Sequence, residues 1–464
     1  MPHDDQVSSR ECDPRESGGL PARDGAPFDP SAPLRAPARV LLTATLRWPV
    51  AARLAMVFTD LGCHVEAVCP RQHPVARIRA IHRVHTHSLL RPLASLRAAI
   101  EAATPDLIIP CDDNAALHLS RLYQSAGPAS AGLRALLVRS LGTPEVCALA
   151  TARGRLMALA AQEGIRIPAT EVVATPADLE AWLLHHRLPA VIKIDATWGG
   201  QGVAIVHGQD EAKRVFEAMA AGPSVLDAAA RMLLDRDPTQ LLNLLKPERP
   251  TVTLQDFIQG TPANRAVACW QGKVLAGTSV AAVETQHLTG PATVVRVIEN
   301  LEMNDAVARL VARLGLSGLW GVDFVLEEST GAAFLIEMNP RATPICHLPL
   351  GPGHDLPAAL CAQLSGAPSA WREPIEQDVV ALFPGEWRRQ AASPYLNSAH
   401  HDIPWDEPEL VRDCVDRPWA ERGFIARFWA ALRRSPHRRL GAGASSVLAE
   451  PEGSRNQLTE PGAL

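Results

Sequence analysis

The chain has no run of eighteen consecutive apolar residues, no C-x-x-C pair and no excess of positive charge. A bilayer-crossing helix needs such a run, and the N-terminus carries Asp, Glu and Pro where a secretory leader has a basic and then an apolar stretch. The expectation is a cytoplasmic protein without a membrane partner. Nine cysteines, an odd number scattered from Cys12 to Cys414, argue for reduced thiols over a disulfide framework or a zinc site. A formal net charge of −5 gives no electrostatic case for nucleic acid or an anionic membrane surface. What is present is the composition of a soluble globular protein, 47% hydrophobic and 20% charged. At 464 residues it exceeds what one core holds, so two or three domains are expected.

Residues 1–38 and 436–464 are dense in Pro, Gly and charge, which predicts disorder at both ends. From Arg39 onward, Val40-Leu41-Leu42, a helix over Pro49 to Leu61, His64 to Val68, a helix over Leu93 to Ala103 and Leu107-Ile108-Ile109 alternate in βαβ rhythm. That rhythm predicts a small Rossmann-like parallel sheet. Asp112-Asp113-Asn114 follows its last strand, where open α/β sheets bind ligands; capping of the next helix explains these residues equally well. His82, His85 and His87 have no carboxylate nearby in sequence and read as a solvated strand. His400-His401-Asp402 reads as a solvated turn in a Pro- and Trp-punctuated extension packed on the body.

The richest stretch is Glu337-Met338-Asn339-Pro340-Arg341, which begins eleven residues after Leu326, the end of the strand-like Gly321 to Leu326. Side chains alternate along a strand, so Glu337, Asn339 and Arg341 share one face and Ile336 and Met338 the other. Glu327 to Gly331 is rich in turn formers, which predicts an antiparallel hairpin. If Phe324 faces Ile336, then Val322 faces Met338, Leu326 faces Phe334, and Asp323 lies opposite Glu337. Opposed carboxylates cost a few tenths to about 1 kcal/mol unless a cation lies between them. The oxygen-only set Asp323, Glu337 and Asn339 suits Mg²⁺, with Mn²⁺ as the alternative, and Mg²⁺ usually borrows phosphate oxygens from a nucleotide.

Two further pieces speak of a nucleotide. Lys193-Ile194-Asp195-Ala196-Thr197-Trp198-Gly199-Gly200-Gln201-Gly202-Val203 joins two apolar strands, and its glycines let backbone N–H groups approach an anion. It leads into a strand and not a helix, which excludes Walker A and Rossmann loops. Lys193, on an apolar strand, needs an anionic partner to offset its desolvation. Leu254-Gln255-Asp256-Phe257-Ile258-Gln259-Gly260 is a strand ending in a turn.

Together, Lys193, the Gly199–Val203 loop, Leu254 to Gly260, Asp323 and Glu337 to Arg341 resemble the ATP-grasp superfamily, most closely the branch of biotin carboxylase and the carbamoyl phosphate synthetase large subunit. The resemblance implies an α/β and α+β protein. A Rossmann-like domain (39–145) precedes the ATP-grasp fold (146–366, its small subdomain about 168–258 and its catalytic subdomain about 259–366), and an extension (367–435) follows. It further implies that Arg153 and Lys193 contact ATP phosphates and that Gly199, Gly200, Gln201, Gly202 and Val203 close over them. Gln255, Asp256, Phe257 and Ile258 would line the adenine, while Asp323, Glu337 and Asn339 hold Mg²⁺ and Arg341 stabilises the anionic intermediate. The family's ribose-binding acid is not evident, which leaves Asn264 as the candidate. Glu284, His287 and Arg296 are candidate substrate contacts or exposed strand residues.

The activity implied is that of an ATP-dependent ligase acting on small molecules: a carboxylate becomes an acyl phosphate and passes to an amine. Phosphoryl transfer asks the protein for positioning and charge compensation and needs no nucleophilic triad. Bicarbonate or carbamate phosphorylation and a non-catalytic ATP-binding regulator are the competing readings. The oligomeric state is open, a homodimer being admissible.

Overall fold

Three β-sheets organise the chain, seen in a computed structural model that describes residues 37–127, 130–143, 145–195, 202–222, 251–287, 289–368 and 372–415. Of the two ends expected to be disordered, residues 1–36 and 436–464 lie outside the described residues.

The first sheet is parallel, in the order β3-β2-β1-β4: β1 Arg39–Thr43, β2 His64–Cys69, β3 Arg83–Thr86 and β4 Leu107–Pro110. Strands β1 and β4 are apolar on both faces, with Leu41, Leu42, Leu107, Ile108 and Ile109 fully buried, as covered parallel strands require. The helix Val50–Asp60 crosses from β1 to β2 and the helix Pro92–Ala103 from β3 to β4, matching the expected rhythm.

The second sheet is antiparallel, β5-β8-β6-β7, from β5 Thr170–Val173, β6 Ala190–Ile194, β7 Val203–Val206 and β8 Val252–Asp256. It has its own core of Leu179, Trp182, Ile192, Phe216 and Leu254.

The third and largest sheet contains β9 Gly260–Trp270, β10 Lys273–Thr285, β11 Ala292–Ile298, β12 Gly318–Glu327, β13 Ala333–Asn339, β14 Val379–Ala381 and β15 His400–His401. Their order is β13-β12-β9-β10-β11-β14-β15. One face carries the helix Leu301–Leu314, started by the Asn300 side chain accepting from the Met303 N–H at 2.9 Å and ended by Gly315 in the left-handed region. Its buried Met303, Ala306, Val307, Leu310 and Val311 form one helical stripe. The other face shares a core with the parallel sheet and the helix Leu356–Ser365, so the first sheet packs directly on the third.

Two expectations need correction. His400-His401-Asp402 is not a solvated turn: the histidines form β15, and Asp402, 4% exposed, binds His347 Nε2 at 2.8 Å and the Arg53 guanidinium. The three histidines near β3 are not a uniformly solvated strand either. His85 Nε2 donates to Glu66 Oε2 at 2.7 Å, and His87 is buried and stacked on His118. Among the described residues no helix is long and apolar enough to cross a membrane.

Candidate active site

The hairpin β12–β13 pairs Asp323 with Glu337 and Val322 with Met338, as alternation required. Beyond Asp323 the register shifts, however, so that Phe324 faces Leu335 and Leu326 faces Ala333, in place of Ile336 and Phe334. Ile336 is the extra residue of a β-bulge. The cause is visible in the core: Ala333, Leu335 and Met338 all pack with Phe324 beneath the sheet, and their uneven spacing cannot share a face unless one residue is skipped.

The strand β9 adds Asn264 opposite Asp323, so Glu337, Asp323 and Asn264 form a row across three strands. Asn264 Nδ2 donates to Asp323 Oδ1 at 2.6 Å, and Asn339 Nδ2 donates to Asp323 Oδ2 at 2.8 Å. Burial, and after it the Glu337 charge, push the Asp323 carboxyl up to about 6, against the pull of the two amides. A cation beside this pair would relieve the repulsion. Among the described residues no three His, Cys, Asp or Glu side chains gather as a metal cage. Two carboxylates and an amide are instead the sparse set with which Mg²⁺ keeps room for phosphate oxygens, so the residues fit the ion.

Cations rim the row. Arg341, just past β13, donates from Nε to Asp113 Oδ2 at 2.8 Å and from Nη2 to Asn339 Oδ1 at 3.0 Å, and its guanidinium lies 5.1 Å from the centre of the Trp48 ring. Burial opposes its charge, but Asp113, joined by Asp323 and Glu337, outweighs it and holds Arg341 above its ordinary value. Asp113 is the first residue of the helix Asp113–Ser125; the preceding Asp112 caps that helix, accepting from the Ala115 N–H at 2.8 Å. Asp112 therefore caps the helix, as the capping reading expected, and Asp113 pairs with Arg341.

Arg153 Nη2 lies 3.3 Å from Glu337 Oε2, its Nη1 lies 3.6 Å from Asp195, and it donates to the Ile194 carbonyl. Lys193, 6% exposed, sits on β6 with no carboxylate in ion-pair reach among the described residues. Burial, and after it the Arg153 charge, bring its amine down to about 8, while Glu337 and Asp323 act the other way. The structure thus gathers Arg153, Lys193, Asp323, Glu337, Asn339 and Arg341.

Other expected residues fall around this centre. Gly202 has φ 71°, and its carbonyl accepts from the Ile194 N–H at 2.9 Å; Val203 pairs with Lys193 across the β6–β7 hairpin. Gly199, Gly200 and Gln201 lie outside the described residues. Gln255 donates to Thr170 Oγ1 at 3.0 Å, and Asp256 meets His186 Nδ1 at 2.8 Å, so both side chains are engaged within the second sheet. Phe257 and Ile258 form the half-buried link between β8 and β9. Asn264, expected at the ribose, instead bonds Asp323. Arg296 is exposed and paired with Asp378 at 2.7 Å, His287 is exposed, and Glu284 lies 3.2 Å from Arg389.

The partnership of Trp48 and Asp113 with Arg341 escaped sequence reasoning. Asp113 had a signal, its position past the carboxyl end of β4; Trp48 had none. Thr343 was missed too: its methyl occupies the space a Cβ on Gly321 would need, 2.2 Å away.

Residues 161–344 match the ATP-grasp domain family. Solved structures share the fold at low identity. N5-carboxyaminoimidazole synthetase from Staphylococcus aureus complexed with ADP aligns with TM-score 0.52 at 12% identity, covering 75% of this chain and 82% of its own. N5-carboxyaminoimidazole synthase from Aspergillus clavatus, in complex with ADP and 5-aminoimidazole ribonucleotide, aligns with TM-score 0.52 at 16% identity over 73% and 80%. The biotin carboxylase domain of 2-oxoglutarate carboxylase from Hydrogenobacter thermophilus, with MgADP and bicarbonate, aligns with TM-score 0.50 at 14% identity over 72% and 71%.

Proposed function

We propose that this chain, whose residues 161–344 carry an ATP-grasp domain, is an ATP-dependent ligase that activates a carboxylate as an acyl phosphate and passes the acyl group to an amine. The observation that carries the reading is the row of Asp323 and Glu337, flanked by Asn339, Arg341, Arg153 and Lys193. Acids and bases in that arrangement bind a metal-bound polyphosphate from both sides.

Asp323, Glu337 and Asn339 would hold Mg²⁺, which when bound offsets phosphate charge and orients the phosphates for in-line transfer. Lys193 and Arg153 meet the anionic tail; Lys193, with no carboxylate in ion-pair reach among the described residues, gains most from a phosphate. Arg341 is held rigid by Asp113 and Asn339, so its guanidinium pays no reorganisation when charge builds on the transferring group.

The experiment is to incubate the protein with Mg-ATP and pools of amino acids or other carboxylates, with and without amines, and to follow ADP and phosphate release. Release that requires a carboxylate and amine pair supports the ligase. Release with bicarbonate alone, or tight ATP binding without turnover, refutes it. Glu337→Ala and Asn339→Ala should abolish release while leaving the thermal melt largely intact; retained release in either would refute the metal assignment.

A further inference from the structure

Cys63 lies in the turn between the helix Val50–Asp60 and β2, and Cys361 on the helix Leu356–Ser365, 298 positions later. Their Sγ atoms are 3.2 Å apart, and both thiols are free and nearly buried, 5% and 6% exposed. The two helices pack on each other within the core that joins the first sheet to the third. Cys63 therefore belongs to the body that supplies Asp113 and Trp48, and Cys361 to the body that supplies Arg341.

We propose that Cys63 and Cys361 are an oxidation site that closes reversibly into a disulfide between the parallel-sheet domain and the catalytic sheet. With hydrogen peroxide as oxidant the reaction balances. Cys63 sulfur attacks one peroxide oxygen and becomes a sulfenic acid as the first water leaves. Cys361 sulfur then attacks that sulfur, the S–O bond breaks, and the second water carries away the oxygen and the remaining protons. Two thiols lose two electrons and two hydrogens in all. The sulfurs already touch, so bonding asks only for a closing shift of about 1 Å inside an existing contact.

The shared hydrogen bond also holds the Cys63 thiol below its ordinary value while burial works against it, which favours Cys63 as the first sulfur to react. The bond would enclose the stretch that contains every site residue named above except Trp48, fixing the separation of Asp113 and Arg341 against opening of the two bodies. This inference stands apart from the ligase reading, since it concerns packing and not turnover.

The test uses the full chain, treated with hydrogen peroxide, alkylated and digested without reduction. A linked peptide pair containing Cys63 and Cys361, two hydrogens lighter than the sum of its parts and lost on adding dithiothreitol, is the expected product. The melting temperature should rise by about 5 °C on oxidation and fall back on reduction, and Cys63→Ser should show neither effect. Should Cys63→Ser fold poorly, Cys361→Ala serves the same purpose. Linkage of either residue to a different cysteine overturns the proposal, as does sulfinic acid at Cys63 with Cys361 still a thiol, or full alkylation of both after peroxide treatment and unfolding.

Discussion

Removing the Asp113 carboxylate tests whether the first sheet takes part in the chemistry or merely supports it. The Asp113 and Arg341 side chains are 15% and 11% exposed, so Asp113→Ala leaves a nearly buried guanidinium with the Asn339 contact as its main hydrogen bond. A charge-assisted bond contributes about 1.5–3 kcal/mol, and breaking a fully buried pair costs about 3–5 kcal/mol. Because water still reaches this pair, a loss of about 2 kcal/mol is the appropriate scale. If Arg341 acts on the transferring group, that loss appears in kcat as about a 30-fold drop, with the KM for ATP changed no more than about twofold. Asp113→Asn keeps an acceptor oxygen and should lose only about 5-fold. Arg341→Ala should give a similar kcat loss, and the double variant little more than either alone, because the residues act as one unit. The assay is steady-state ADP release with the substrate pair, read beside a thermal melt of each variant. An unchanged kcat with a raised KM for ATP would refute the reasoning and make Arg341 a grip on the nucleotide.

Three further outcomes follow from other parts of the molecule. Lys193→Met should leave the melting temperature unchanged or raised, since it removes a buried cation that has no carboxylate partner among the described residues, and should weaken ATP binding as measured by calorimetry; undiminished affinity would contradict the role given to Lys193. Gly321→Ala should destabilise by about 1–3 kcal/mol because its new methyl meets Thr343 Cγ2, and Thr343→Ser in the same chain should restore most of that in a urea titration. His73, fully buried, is pushed down to about 3 by burial, outweighing its hydrogen bond to the Leu46 carbonyl. The unfolded chain then binds the extra proton below about pH 6.5, so stability falls as the pH drops and by pH 5 this imidazole costs about 2 kcal/mol. His73→Asn should shrink the shift in urea midpoint between pH 7 and pH 5, and an unchanged shift would count against it.

Local periodicity made much of this molecule readable. The short strands at Leu41, Val65 and Ile108, alternating with helical stretches, named a parallel sheet because a crossover helix joins parallel strands. The Asp323–Glu337 pair was legible because period two and a short turn leave few registers open. The bulge at Ile336 was not, since skipping a residue is decided by core packing against Phe324 and not by the hairpin's own sequence. Asn264 was assigned to the ribose because only its distance from the adenine strand could be judged; its position opposite Asp323 depends on β12 pairing with β9 across more than fifty residues. The burial of Asp402 among His347 and Arg53 was hidden for the same reason, with partners from two remote segments.

The skipped residue in the hairpin also has a mechanical reading. Without Ile336 the strands could keep the same partners, Asp323 with Glu337 and Phe324 with Leu335, in an unbroken ladder. What the extra residue adds is therefore aim: a local increase in right-handed twist that turns the acids relative to the floor beneath them. Shortening the chain by that single position would conserve every contact partner while changing where the acids point, so geometry here can be edited independently of composition.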